Sequence, residues 1–191
     1  MAQDTIYALS TAYGAAGVAV IRVSGPAARD AALRLCGVVP PPRVATLRVI
    51  RDPRTGSEID SAVLLFFPSP ASFTGEDIVE FQTHGSVAVC RQVLRCLGEL
   101  GLRAAEAGEF SLRAFHNGKM DLVDVEALGD LLSAETEAQL RLTRVQRSNL
   151  HQAAGRWRGL LLEALALTEA HIDFSDEEDV VSRVDDATSE L

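Results

Sequence analysis

Three places in the chain put polar side chains where folding alone does not ask for them. In the apolar run Val18–Val23, an alternation of two sets Val18, Val20 and Arg22 on one face and Ala19, Ile21 and Val23 on the other. A guanidinium in such a strand requires a carboxylate partner, an anionic ligand or a way out to solvent, because an unpaired buried charge is prohibitively costly. In Ile78–His84 the same period sets Glu80, Gln82 and His84 together, opposite Val79, Phe81 and Thr83. A carboxylate, an amide and an imidazole in one row can bind and orient a polar ligand, and an exposed sheet face is the alternative. The third place is Lys119, the only lysine beside seventeen arginines, directly after the turn former Asn117-Gly118. A compact ammonium there reads either as a ligand contact or as a solvated turn residue.

Several familiar chemistries are missing. Gly118-Lys119 lacks both the earlier glycine, where Arg113 stands, and the following Ser or Thr, where Met120 stands, so it is not a phosphate-binding loop. His84, His116, His151 and His171 show no metal-ligand spacing, and there is no Gly-x-Ser-x-Gly elbow. Cys36, Cys90 and Cys96 are odd in number and read as core thiols. No nucleophile, and hence no catalytic residue, is specified by these residues.

The elements that must position the polar groups follow from pattern and punctuation. Ile6–Leu9 and Val18–Val23 read as strands around the turn 13–17. Ser24-Gly25-Pro26 opens a helix, with Ser24 or Gly25 as N-cap and Gly37 closing it. Val44–Ile50 and Glu58–Phe67 form a hairpin, and the polar loop 72–77 leads into the strand Ile78–His84. A helix follows from Gly85-Ser86, with Cys90, Val93, Leu94 and Leu97 inward, and Leu102–Ala105 supplies a short returning strand. Strands and helices mix without a strict βαβ repeat, which gives an α+β fold.

The stretch 108–126 is the junction. After it no proline appears, and an apolar stripe from Leu122 through Leu128, Leu132 and Leu142 to Val145 predicts a long helix. A second helical segment runs from about Trp157 to Ile172. Arg141, Arg144 and Arg147 form a basic stripe, read as a solvated face or a phosphate contact. The acidic run at 173 and 176–179 reads as a boundary or linker. The predicted domains are 1–118 and 119–191.

The 191 residues, 47% of them apolar, suffice for one large or two small packed domains. Residues 1–118 balance eleven Arg against eleven acidic groups, so the net charge of −9 falls wholly on 119–191, with seven basic and sixteen acidic residues. Neither part is basic enough to bind nucleic acid unaided. No apolar run reaches bilayer length and Met1–Ser10 lacks a leader pattern, which predicts a cytosolic protein without a membrane partner.

Taken together, Val20–Gly25, Phe73–Asp77 with Glu80 and His84-Gly85, Gly108–Leu122, Glu126–Leu132 and Ile172–Glu178 resemble, in order, the tRNA modification GTPases called MnmE or TrmE. The block 108–132 is the most specific part. The resemblance implies an N-terminal mixed-sheet domain similar to the tetrahydrofolate-binding domain of glycine cleavage T-proteins, which also forms a homodimer, followed by the first helices of an all-α domain. It implies that a GTPase domain, with its GTP, potassium and magnesium, is inserted after the acidic stretch. The chain would then be an N-terminal portion that does not itself hydrolyse GTP.

The family works with the flavoprotein MnmG to add an aminomethyl or carboxymethylaminomethyl group to C5 of the wobble uridine of certain tRNAs. The one-carbon unit comes from a tetrahydrofolate, either 5-formyl- or 5,10-methylene-tetrahydrofolate, and the folate-contacting positions carry over to Arg22, Glu80 and Lys119. The alternative is a dimerisation and protein-interaction module without a cofactor. This chain departs from the family pattern at Thr11-Ala12-Tyr13 and Thr83–Ser86, on loops near the expected pocket.

Overall fold

The computed structural model describes residues 4–173, apart from the side chains of residues 144, 146, 147, 170, 171 and 173. Two compact units divide the chain, Met1–Asp121 and Leu122–Leu191. The acidic run beyond residue 173 lies outside the described residues.

The first unit is α+β, as its pattern predicts. Six strands, β1 (Ile6–Leu9), β2 (Ala16–Ser24), β3 (Thr46–Arg51), β4 (Glu58–Phe67), β5 (Ile78–Gly85) and β6 (Arg103–Ala104), form one sheet in the order β3-β4-β5-β2-β1-β6. Only the β1–β6 pair is parallel, and the other neighbours are antiparallel. Helices α1 (Ala28–Cys36) and α2 (Val87–Glu99) cover one face. There Ile21, Val23, Leu64, Phe81, Leu35 and Leu97 belong to a single core with almost no exposed surface. Period-two alternation decides which side chains join it: Ala62, Leu64 and Phe66 of β4 are buried, while Val63, Leu65 and Phe67 on the opposite face are only half-buried. The same rule places Arg22 and Glu80 on that second face, away from the helices.

Helix α1 starts later than its opening signals predict. The N-cap position is Ala27, and Ser24 ends β2 with its hydroxyl turned into a buried polar cluster. Gly25, at φ 130°, packs against Thr5 so closely that a Cβ would lie 2.8 Å from the Thr5 Cα. That contact and the turn bond from Ala28 N to Gly25 O delay the helix. Gly37 closes α1 in the left-handed conformation, as predicted. Cys36 is half-buried, and Cys90 and Cys96 are buried. Burial pushes the Cys36 thiol up to about 12 despite the nearby Arg48, so it is an inert packing group.

One helix of the first unit, α3 (Glu109–His116), is invisible to an apolar-period reading, because its inward residues include Arg113. In the second unit α4 (Leu122–Ser133) and α5 (Glu137–Asp173) pack on each other. The predicted first helix is broken at residues 134–136, and the two predicted helical segments beyond the break are one helix. The cause of the break is a capping box. Gln139 Oε1 accepts from the Thr136 N–H at 2.9 Å, and the Thr136 hydroxyl accepts from the Gln139 N–H at 3.2 Å. Of the arginine stripe, Arg141 is exposed and pairs with Glu137 at 3.2 Å, while Arg144 and Arg147 fall outside the described side chains. Among the described residues no helix is long and apolar enough to cross a membrane.

Candidate functional site

Arg22 and Glu80 sit directly opposite each other on β2 and β5. The guanidinium meets a single carboxylate oxygen: Nε donates to Oε1 at 2.8 Å, and Nη2 lies 2.7 Å from the same atom. Among the described residues no hydrogen bond reaches Glu80 Oε2 or Arg22 Nη1. The pair therefore neutralises itself yet keeps one free acceptor and one free donor edge, which suits a ligand carrying an amide-like donor and acceptor side by side. Its side chains are 26% and 14% exposed, enough to be reached and little enough for hydrogen bonds to gain strength from the surroundings.

Two aromatic rings complete this surface. The Arg22 guanidinium carbon lies 5.4 Å from the centre of the Phe73 ring and 5.7 Å from that of Phe110. These distances allow cation–π attraction and present flat apolar walls. Neither phenylalanine stands out in the sequence as a site residue. Phe73 lies on a loop with no period to read, and Phe110 lies on the unpredicted α3.

Lys119 is held by the same two elements. Its N–H donates to Ala114 O at 2.8 Å, closing the turn after α3, with Gly118 at φ 64°. Asn117 Nδ2 donates to Thr74 O at 2.7 Å. The lysine stem lies against Gly75, where an added Cβ would come within 3.3 Å of Lys119 Cγ. All three predicted residues thus belong to the first unit. Arg22 and Glu80 touch each other, and Lys119, on the turn after α3, lays its stem against Gly75 of the loop that carries Phe73. His84, at the far end of the predicted row, is engaged elsewhere: its Nδ1 lies 2.7 Å from Asp60 Oδ1, and its ring is exposed.

Beneath the 72–77 loop lies a buried ionic cluster that charge patterning in the sequence does not disclose. Arg113 Nη1 donates to the Asp4 carbonyl at 2.7 Å and to Glu76 Oε1 at 3.1 Å. Its Nη2 donates to Asp4 Oδ1 at 2.6 Å and to Glu109 Oε1 at 3.2 Å. Ser24 Oγ donates to Glu76 Oε2 at 2.6 Å and shares a hydrogen bond with Thr74 Oγ1 at 2.7 Å. Arg103 bonds the rim carboxylates Asp4 and Glu109. The Arg103 guanidinium first, then the Glu106 N–H and Arg113, hold the Glu109 carboxyl at about 2, against a usual 4.5.

A carboxyl depressed in the folded state stabilises it fully above the unfolded pKa and loses that contribution as pH falls through the folded value. Denaturant midpoints of the first unit should therefore hold steady above about pH 5 and decline towards about pH 2. Glu109→Gln should flatten that decline, and an unchanged pH profile in the variant would count against the assignment.

Residues 5–119 match the family model described as GTP-binding protein TrmE N-terminus. The tRNA modification GTPase MnmE of Rhizobium meliloti (strain 1021) is 54% identical over 187 residues, covering 96% of this chain and 42% of the relative. Its namesake from Ruegeria pomeroyi is 55% identical over 177 residues, with 92% and 41% covered. The protein of the same name from Caulobacter vibrioides is 52% identical over 176 residues, with 92% and 39% covered. The chain spans about two-fifths of the length of these relatives.

Proposed function

The chain belongs to the TrmE N-terminus family, and from that premise we propose that it is the folate-binding and dimerising portion of a cytoplasmic tRNA modification GTPase. In this reading the whole protein acts with the flavoprotein MnmG to add an aminomethyl or carboxymethylaminomethyl group to C5 of the wobble uridine of certain tRNAs. GTP, potassium and magnesium act in a GTPase domain outside residues 1–191, and this portion alone does not turn over GTP. Its ligand is 5-formyl- or 5,10-methylene-tetrahydrofolate, held by Arg22, Glu80 and Lys119. When bound, the folate supplies the one-carbon unit, and the protein's task is to hold and orient it.

One observation carries the reading: the Arg22–Glu80 pair closes on a single oxygen and leaves Glu80 Oε2 and Arg22 Nη1 unused, with the centres of the Phe73 and Phe110 rings 5.4 and 5.7 Å from the guanidinium carbon. The 2-amino-4-oxo edge of a pterin offers N–H groups to such an oxygen and a carbonyl to such an N–H, and its flat ring suits Phe73 or Phe110. In this reading Lys119, on the neighbouring turn, meets a carboxylate of the glutamate tail.

Calorimetry with 5-formyl-tetrahydrofolate is the test. Binding should be detectable in the unmodified chain and lost or weakened at least about tenfold in Glu80→Ala, the scale of a lost hydrogen bond to a charged group. Equal affinity would end the binding role. Dimerisation draws support from the half-buried apolar residues on the sheet face opposite α1 and α2, such as Val20, Val63 and Leu65. A monomer by light scattering at high micromolar concentration would refute it.

A further inference from the structure

We propose that Arg113 is the positioning residue of this site: a buried guanidinium clamp that fixes the 72–77 loop and helix α3 as the two walls facing Arg22 and Glu80. It touches none of the proposed ligand contacts, and it acts through the backbone elements that carry them.

Each wall owes its placement to groups that Arg113 gathers. Phe110 lies three residues before Arg113 on α3, and the Ala114 carbonyl, one residue after it, closes the turn that bears Lys119. On the loop, Glu76 is bonded at both oxygens, Oε1 and Oε2 by Arg113 Nη1 and Oε2 also by Ser24 of β2. The Glu76 N–H and the Ser24 hydroxyl both meet Thr74 Oγ1, so the backbone on either side of Gly75 is fixed from beneath. The loop is thereby tied to the sheet through Ser24 and to α3 through Arg113, with further cross-links from Asn117 to the Thr74 carbonyl, from the Gly25 N–H to the Asp77 carbonyl and from the Ser69 hydroxyl to the Gly75 carbonyl. Asp4, bonded through both its carbonyl and its carboxylate, adds the segment before β1 to the same knot.

The side-chain type matters. Arg113 and Glu76 are each only 8% exposed. A planar fork reaches Asp4, Glu76 and Glu109 from two nitrogens at once. A lysine keeps the charge, but its single ammonium cannot span the three carboxylates in that geometry. Arg113→Lys therefore separates positioning from charge balance. Ser24→Ala is the milder companion, releasing Glu76 Oε2 and Thr74 from the sheet side without changing any charge.

The proposal rests on the folate reading for only one of its two readouts, measured on the full chain. Amide hydrogen exchange at residues 74–76 and 118–119 should speed up about tenfold or more in Arg113→Lys, the factor expected when a buried hydrogen bond to a charged group is lost. The change should be smaller in Ser24→Ala and leave the β2 and β5 amides as they were. Affinity for 5-formyl-tetrahydrofolate should fall by a similar factor.

Unchanged exchange at 74–76 in both variants would overturn the proposal, as would a uniform loosening that includes β2 and β5. Undiminished folate affinity in a folded Arg113→Lys would overturn it too. If that variant does not fold, Ser24→Ala decides by the same local exchange. If the unmodified chain binds no folate, the proposed function fails, and the exchange pattern still decides the role of Arg113.

Discussion

Phe81→Ala is expected to destabilise the first unit by about 3–5 kcal/mol, the range for deleting a buried aromatic ring from a core that cannot collapse onto the gap. Phe81 is fully buried on β5, opposite Ile21 of β2 on one side and Leu64 of β4 on the other. All three belong to the core shared with α1 and α2. Against a typical total of about 5–15 kcal/mol, that loss removes a large fraction of the stability. Exchange of the β5 amides that open only with the whole unit should become more than about a hundredfold faster, since each 1.4 kcal/mol is a factor of ten.

The neighbouring residue is the control. Gln82 points to the opposite face, and Gln82→Ala should stay within about 0.5 kcal/mol of the unmodified chain. A loss below about 1 kcal/mol for Phe81→Ala would mean that β5 is not clamped between the helices and its neighbours as described. The result matters for the site because Glu80 is the residue before Phe81. The core side chain holds the strand whose other face carries the carboxylate.

What could be read from the residue pattern, and what could not, follows from how each contact is encoded. Strand alternation is local, so Arg22 and Glu80 were assignable to faces, and the register then put them opposite each other. Which two strands are neighbours is not local. β2 and β5 are separated in the chain by α1, β3 and β4, and nothing in either strand names the other. Lys119 stood out through its rarity, yet its tie to Gly75 depends on a loop far away in sequence. Arg113 shows the opposite failure. An apolar-period search counts arginine as outward, so a helix that buries an arginine among carboxylates loses its signature. Ser24 misled for a related reason, because a serine beside Gly-Pro is a good helix cap until a buried glutamate competes for its hydroxyl.

The Arg22–Glu80 pair should show strong coupling in stability together with loss of ligand binding from every variant that breaks it. Arg22→Met leaves a carboxylate that is 14% exposed without its hydrogen-bond donor. Glu80→Met leaves a guanidinium that still faces Phe73 and Phe110, so it should cost less. Each single change is expected to cost about 1–3 kcal/mol, below the range for fully buried pairs because water still reaches both groups. The double change to Met at both positions should come back close to the stability of the unmodified chain, since an apolar pair suits a face where Val20 and Leu65 are neighbours.

A cycle built from these four proteins should therefore give a coupling close to the sum of the two single costs, about 2–6 kcal/mol. Costs that simply add would show that no ion pair exists in solution. Folding alone gives little reason to keep this pair, since two methionines would serve the sheet about as well. If the double variant is as stable as predicted and binds no reduced folate, the polar pair is there for the ligand and not for the fold. If the double variant binds folate as well as the unmodified chain, Arg22 and Glu80 are a cross-strand brace, and the contacts that hold the ligand must be sought around Lys119 and the two phenylalanines.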